Sequence, residues 1–118
     1  MSSFELEYVE DGDSELATVA LVGELDLTNS DELVEQLERF AAGRPLVIDL
    51  NRLLFLDSAA LHGLFRIARE RGSGGLAVVI DPSAPVAPTL EIVEFRRAAT
   101  VVATREQAGS ALARARGA

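Results

Sequence analysis

The chain has 118 residues, which is enough for one compact domain with a buried core and too few for two. Its 48% hydrophobic and 25% charged residues are typical of a globular protein, and no apolar run approaches the roughly 20 residues that span a bilayer. The absence of cysteine and lysine, with one histidine, excludes disulfides, thiolate and lysine chemistry and leaves most enzyme active sites unbuildable. The formal charge of −8 disfavours nucleic acid as a partner.

The first elements predict an antiparallel hairpin. Residues 4–9 alternate apolar and polar side chains, as a half-buried strand does, and a turn is expected at residues 11–13. Residues 16–22 are mostly apolar and form the second predicted strand, which Gly23-Glu24-Leu25-Asp26 ends.

The next segment predicts a helix and a buried strand. The helix is expected to begin at Thr28 or Ser30, since Thr28-x-x-Asp31 resembles a capping box, and Gly43 with Pro45 should end it. One apolar stripe runs along this helix: Leu33, Val34, Leu37, Phe40 and Ala41. Residues 46–50 then read as a strand, and four apolar residues follow at 53–56.

The tripeptide Asp57-Ser58-Ala59 marks the start of a second amphipathic helix. Apolar residues recur downstream at helical spacing, and Gly72 should end the helix. Ser58 is expected to cap the helix, because its hydroxyl can accept a hydrogen bond from an amide of the first turn. A phosphate on Ser58 would also be favoured by the positive end of the helix dipole.

The remaining pattern continues the alternation of strands and helices. Residues 76–80 predict a strand, residues 86–95 a short helix and residues 100–103 a weak final strand. Thr104-x-x-Gln107 is a capping box for a last helix, and residues 113–118 are expected to fray. The prediction is an α/β domain over 1–118, with one mixed sheet of about five strands and about four helices.

Three short segments in this order resemble the STAS domain, which occurs in sulphate transporters and in bacterial anti-sigma factor antagonists. The resemblance extends from about residue 4 to residue 112, with nothing left over for a transporter, which favours the stand-alone antagonist type. The segments are Gly23-Glu24-Leu25-Asp26, Val47-Ile48-Asp49-Leu50 and Phe55-Leu56-Asp57-Ser58-Ala59-Ala60-Leu61.

The resemblance implies a regulatory module rather than an enzyme. An unphosphorylated antagonist binds an anti-sigma factor that is also a serine kinase, phosphorylation of the serine matching Ser58 releases it, and a phosphatase restores binding. The absence of cysteine also fits a cytoplasmic protein, and the charge and the lack of a long apolar run predict no direct contact with nucleic acid and no membrane insertion. No cofactor and no metal are expected. The family usually has glycine where this chain has Ala60, whose methyl group is expected to crowd a closely approaching partner.

Each candidate residue also has an ordinary structural interpretation. From spacing alone Ser58 is more simply a cap, and Asp57 a second cap or a turn former. The stripe of His62 and Arg66 is more simply a solvated helix face. Turn and cap roles explain Glu24 and Asp26. With the resemblance, Ser58 becomes the phosphorylation site and the surrounding residues become partner-binding. The predicted partner-binding set is Glu24, Asp26, Asp57, Ser58, Ala59, His62 and Arg66.

Two other functions stay open. A STAS domain can be a permanent scaffold in a stress-signalling complex or a lipid-transporter assembly, without phosphorylation. A nucleotide-binding or metabolite-binding enzyme is the least favoured, because the glycine-rich residues 72–75 follow a helix and precede a strand, the reverse of a dinucleotide-binding turn.

Overall fold

A computed structural model describes residues 3–9, 15–72 and 74–117. The turn expected at residues 11–13 lies outside the described residues. The elements, in chain order, are β1 Phe4–Val9, β2 Ala17–Leu25, α1 Ser30–Ala41, β3 Leu46–Asp49, β4 Leu53–Leu56, α2 Ser58–Arg71, β5 Leu76–Val79, α3 Ala87–Ile92, a 3₁₀ helix Phe95–Arg97, β6 Thr100–Val102 and α4 Arg105–Gly117.

One mixed sheet carries the fold, which confirms the predicted α/β class. The strand order is β1-β2-β3-β5-β6, and β4 also pairs with β2. The hairpin of β1 and β2 is antiparallel, as predicted, and every other pair is parallel. Because the parallel strands point the same way, the loops that follow them meet at one edge of the sheet.

Strands β3 and β4 lie one after the other along the same side of β2. Leu46 to Asp49 pair with the first half of β2, whereas Leu53 and Leu56 pair with Gly23 and Leu25 near its end. The break between them is a turn in which Asn51 donates two hydrogen bonds of 2.9 Å to Asp49 Oδ1. The apolar residues 53–56 therefore form β4, a strand in addition to the five predicted ones, and residue 57 follows it next to the end of β2.

The core has two layers, one on each face of the sheet. Buried residues of α1, α2 and α3 pack on the face that carries Ile48 and Val78. Helix α4 covers the other face, where its Ala108 and Leu112 contact Val47. The alternation of side chains along each strand divides β3 and β5 between these two layers.

The predicted capping box at the start of α1 is wrong. The helix begins at Ser30, one of the two expected starts, but Asn29 precedes it without a side-chain cap bond. Thr28 is engaged elsewhere, since its hydroxyl donates a 2.5 Å hydrogen bond to Asp26 Oδ1. The Asp26 side chain forms a turn with Thr28, and this turn replaces the predicted capping box between Thr28 and Asp31.

The C-terminal elements follow the prediction with shifted boundaries. The helix expected over 86–95 divides into α3 and a 3₁₀ turn, and Glu94 between them has φ +53°. Thr104 Oγ1 accepts a hydrogen bond of 3.1 Å from the Gln107 N–H, as the capping box requires, although Gln107 Oε1 accepts from Ala103 rather than from Thr104. Helix α4 extends to Gly117, and the fraying expected over 113–118 stays a prediction.

Candidate functional site

Asp57, not Ser58, caps helix α2. Asp57 has an extended backbone, with φ −93° and ψ −179°, and its Oδ1 accepts a hydrogen bond of 2.9 Å from the Ala60 N–H. Ser58 is the first residue of the helix. The prediction that Ser58 is the cap is therefore wrong, because the carboxylate one residue earlier satisfies that amide.

Because Asp57 caps α2, the Ser58 hydroxyl is not needed for capping. Ser58 is exposed, and its hydroxyl has no hydrogen bond to any residue in the described parts of the chain. It also stands in the first turn, where amide N–H groups point out of the helix. The hydroxyl is therefore reachable from solvent and sits in an environment that favours negative charge.

A second oxygen of Asp57 joins this helix to the loop after β2. Asp57 Oδ2 accepts a hydrogen bond of 3.0 Å from the Leu27 N–H, and the Asp57 N–H donates one of 3.2 Å to the Leu25 carbonyl. The two loops are thirty residues apart in the chain. One side chain thus caps α2 and holds the neighbouring loop against it.

The loop after β2 is organised by its own polar side chains. Asp26 Oδ1 accepts from the N–H and the hydroxyl of Thr28, and Asn29 Nδ2 donates a hydrogen bond of 3.0 Å to the Glu24 carbonyl. Asp26 therefore shapes the loop, whereas the Glu24 side chain is exposed at its edge. Of the two predicted carboxylates, Glu24 is the more exposed.

Exposed apolar side chains lie in the strand before Ser58 and in the loop after β2, and none of them was predicted from the sequence. Leu27, Leu54 and Phe55 are 74%, 64% and 48% exposed. Phe55 is opposite Glu24 in the pairing of β4 with β2, and Leu27 is bonded through its amide to Asp57. We call Leu27, Leu54, Phe55 and Ser58 together the Ser58 surface. The run of four apolar residues at 53–56 was the available signal, because strict alternation would bury only two of them. The register of β4 against β2 shifts at this point, and the middle pair, Leu54 and Phe55, is exposed.

The α2 residues divide between this surface and the core. His62 and Arg66 are exposed, four and eight residues beyond Ser58, whereas Ala59 is half-buried. Ala60 is only 1% exposed and packs in the core, so the expectation that its methyl group crowds a partner is wrong. The predicted stripe of Ser58, His62 and Arg66 thus lies on one helix face.

The described residues contain no side-chain cluster typical of a metal centre. No group of three or more His, Cys, Asp or Glu residues in residues 3–9, 15–72 and 74–117 could hold a metal ion. The pKa of Asp81, beyond β5, is lowered because the Ser83 N–H and then its hydroxyl donate hydrogen bonds to the carboxylate. That pairing closes the turn before α3 and does not involve Ser58.

Comparison with known families and structures agrees with this architecture. A family model described as "STAS domain" matches residues 8–108. An anti-sigma factor antagonist from Mycobacterium paratuberculosis is 25% identical, with a TM-score of 0.78 over 94% of this chain and 95% of that one.

Two further solved structures share the fold. The anti-sigma factor antagonist SpoIIAA in its unphosphorylated form is 24% identical, with a TM-score of 0.63 over 98% of this chain and all of that one. A protein of the DUF3478 family from Shewanella loihica, with a SpoIIAA-like fold, is 14% identical, with a TM-score of 0.59 over 98% and 95% of the two chains.

Proposed function

This chain belongs to the STAS domain family, and on that premise we propose that it is an anti-sigma factor antagonist controlled by phosphorylation of Ser58. In its unphosphorylated state it binds an anti-sigma factor that has serine kinase activity, and phosphorylation releases it. A phosphatase that acts on Ser58 restores binding. The protein works by binding rather than by catalysis, and it affects transcription from the cytoplasm without touching nucleic acid.

The observation that carries the proposal is the position of Ser58. Its hydroxyl is exposed and has no hydrogen-bond partner in the described residues, because Asp57 has taken the capping role. The hydroxyl of a serine that acted only as a helix cap would accept a hydrogen bond from an amide of the first turn. The similarity to the 25%-identical mycobacterial antagonist supports the same role.

The surroundings of Ser58 explain how one phosphate can act as a switch. Leu27, Leu54 and Phe55 offer apolar area that a partner can bury, and burial of apolar area is the main favourable term in most protein–protein association. A phosphate adds a charge of about −1.5 to −2 among them. A partner that covers the surface must then desolvate that charge, which is costly unless it is paired.

Phosphorylation is not expected to disturb the fold. The phosphate would lie at the N-terminus of α2, where the helix dipole stabilises negative charge. His62 and Arg66 are on the same helix face and can donate hydrogen bonds towards it. The effect of the modification therefore falls on the partner, not on the domain.

Incubation with ATP and a candidate anti-sigma kinase from the same genome tests the phosphorylation step. Intact-mass and peptide mass spectrometry should find one phosphate, on Ser58, and Ser58→Ala should remove it. Ser110→Ala is the matched control, since Ser110 is also an exposed helical serine. A protein that no such kinase modifies, or one modified elsewhere, would contradict the proposal.

Size-exclusion chromatography of the mixed proteins separates the switch from a permanent scaffold. The complex of the unphosphorylated chain should dissociate after ATP is added, whereas the Ser58→Ala complex should persist. A complex of wild-type protein that ATP leaves unchanged while Ser58 carries phosphate would favour the scaffold.

A further inference from the structure

The connection between β5 and β6 borders an open, largely apolar cavity that the proposed function does not use. Its volume is about 310 Å³. The floor is apolar and belongs largely to the core: Ile80, Ala87, Leu90, Phe95 and Val101. A cavity of this size and composition is large enough to receive an apolar side chain from outside.

An exposed apolar side chain stands beside this cavity. Ile92, the last residue of α3, is 82% exposed, more than any other large apolar side chain among the described residues. Its neighbours Leu90 and Glu91 line the cavity. The same short helix therefore offers an apolar projection and part of an apolar recess.

Charged side chains of both signs surround the cavity. Glu91, Glu94, Arg96 and Arg97 line it. Arg97 Nε is 3.6 Å from Glu94 Oε2, and Arg96 Nη1 donates a hydrogen bond of 3.0 Å to the Val101 carbonyl. Two acidic and two basic residues leave this rim neutral by formal charge, in a chain whose net charge is −8.

We propose that this region, the α3 surface (Ile92, the cavity and its four charged residues), binds a second copy of the chain about a two-fold axis. Each Ile92 enters the cavity of the other copy, and glutamates of one rim face arginines of the other. An isologous contact needs a surface that is complementary to itself, and the α3 surface carries both the projection and the recess, and both charge signs. A partner other than a second copy would need to match only the projection or only the recess, so it would not require both on one surface.

The dimer is small and weak, and it leaves the Ser58 surface available. The two surfaces share no residue, and we expect each copy in the dimer to keep its own Ser58 surface. The short α3 limits the contact area, which is typical of transient association. We expect a dissociation constant between about 1 µM and 1 mM.

Sedimentation equilibrium over this concentration range tests the proposal. The wild-type protein should shift from monomer to dimer, and Ile92→Ser should weaken association by at least about tenfold. Leu54→Ser is the matched control, because Leu54 is also exposed but lies on the Ser58 surface. A wild-type protein that stays monomeric, or an Ile92→Ser variant that associates as tightly as wild type, overturns the proposal.

Charge exchange provides an independent test of the two-fold arrangement. The variants E91R/E94R and Arg97→Glu should each associate more weakly with themselves and more tightly with one another. Both variants keep a net negative charge, so the two molecules as a whole repel each other. Tight association between the two variants would therefore come from the charged residues around the cavity. Mixed pairing no tighter than self-association, or a small molecule retained in the cavity by native mass spectrometry, would overturn the proposal.

Discussion

The Leu27 N–H donates a hydrogen bond of 3.0 Å to Asp57 Oδ2, and this bond joins the loop after β2 to the start of α2. The other oxygen of the same carboxylate accepts from Ala60. Asp57 thereby sets where Leu27 and Ser58 stand relative to each other. The Ser58 surface depends on this residue, although Asp57 itself is partly covered.

Removing the Asp57 carboxylate should destabilise the protein, whereas removing the Ser58 hydroxyl should not. Asp57→Ala loses the cap of α2 and the link to Leu27, and we expect the free energy of unfolding to fall by about 2 kcal/mol. Ser58→Ala should stay within about 0.5 kcal/mol of wild type. Urea denaturation measures the free energy of unfolding of both variants. An equal loss in the two would mean that Ser58, and not Asp57 alone, caps the helix.

The Ala60 methyl group should matter for stability and not for binding. Ala60 is 1% exposed, so Ala60→Gly removes buried contacts and lowers helix propensity, which should cost about 1 kcal/mol. Calorimetric titration of the variant with the anti-sigma factor should give the wild-type affinity. A clear change in affinity would mean that the partner reaches the buried face of α2.

The exposed apolar residues should carry much of the affinity for the partner. Phe55→Ala and Leu27→Ala should each weaken binding of the anti-sigma factor by at least about tenfold, because buried apolar anchors dominate such interfaces. Ile92→Ala is the control, since Ile92 is as exposed but lies on the α3 surface. Thermal unfolding checks that the fold is kept. Equal affinities for all three variants would place the partner elsewhere.

Phosphorylation of Ser58 should not lower the stability of the isolated domain. A phosphate in the first turn of α2 interacts favourably with the helix dipole, by about 0.3–1 kcal/mol. The melting temperature of the phosphoprotein should therefore equal or exceed that of the unmodified protein. A decrease of several degrees would show that the partner is released through local unfolding rather than through the interface.

Replacement of Gly23 should destabilise the protein, because Gly23 shapes β2, the strand that leads to the Ser58 surface. It has φ +112°, and a Cβ there would collide with the Ser3 carbonyl, which accepts a hydrogen bond of 2.8 Å from Glu24. Gly23→Ala should lower the free energy of unfolding by about 1–3 kcal/mol. Gly63→Ala is the control, since Gly63 is helical and an added Cβ meets only Val34 Cγ2 at 3.4 Å. Chemical denaturation of both variants checks this, and equal losses would contradict it.

Much of the fold follows from patterns that are local in the chain. The alternation in β1, the apolar stripe of α1 and the capping box at Thr104 each predict their element, because each signal spans only a few residues. The two capping predictions were wrong because a neighbouring carboxylate forms the hydrogen bond that engages the predicted residue or replaces its cap. Asp26 engages Thr28 and removes it from the box at Asp31, and Asp57 precedes Ser58 with a stronger acceptor.

The sequence alone determined the class of fold, the start of α2 near Ser58 and the exclusion of cysteine and lysine chemistry, since these depend on composition and on short-range periodicity. Tertiary structure decided that Ser58 has an unengaged hydroxyl, that Ala60 faces the core and that Leu27 lies beside α2. The physical reason is that Leu27 is held by a hydrogen bond to a carboxylate thirty residues away, and that Ala60 faces the core through the packing of α2. No local pattern of residues encodes contacts at that separation. Whether Asp57 or Ser58 caps the helix depends on the backbone geometry at its start.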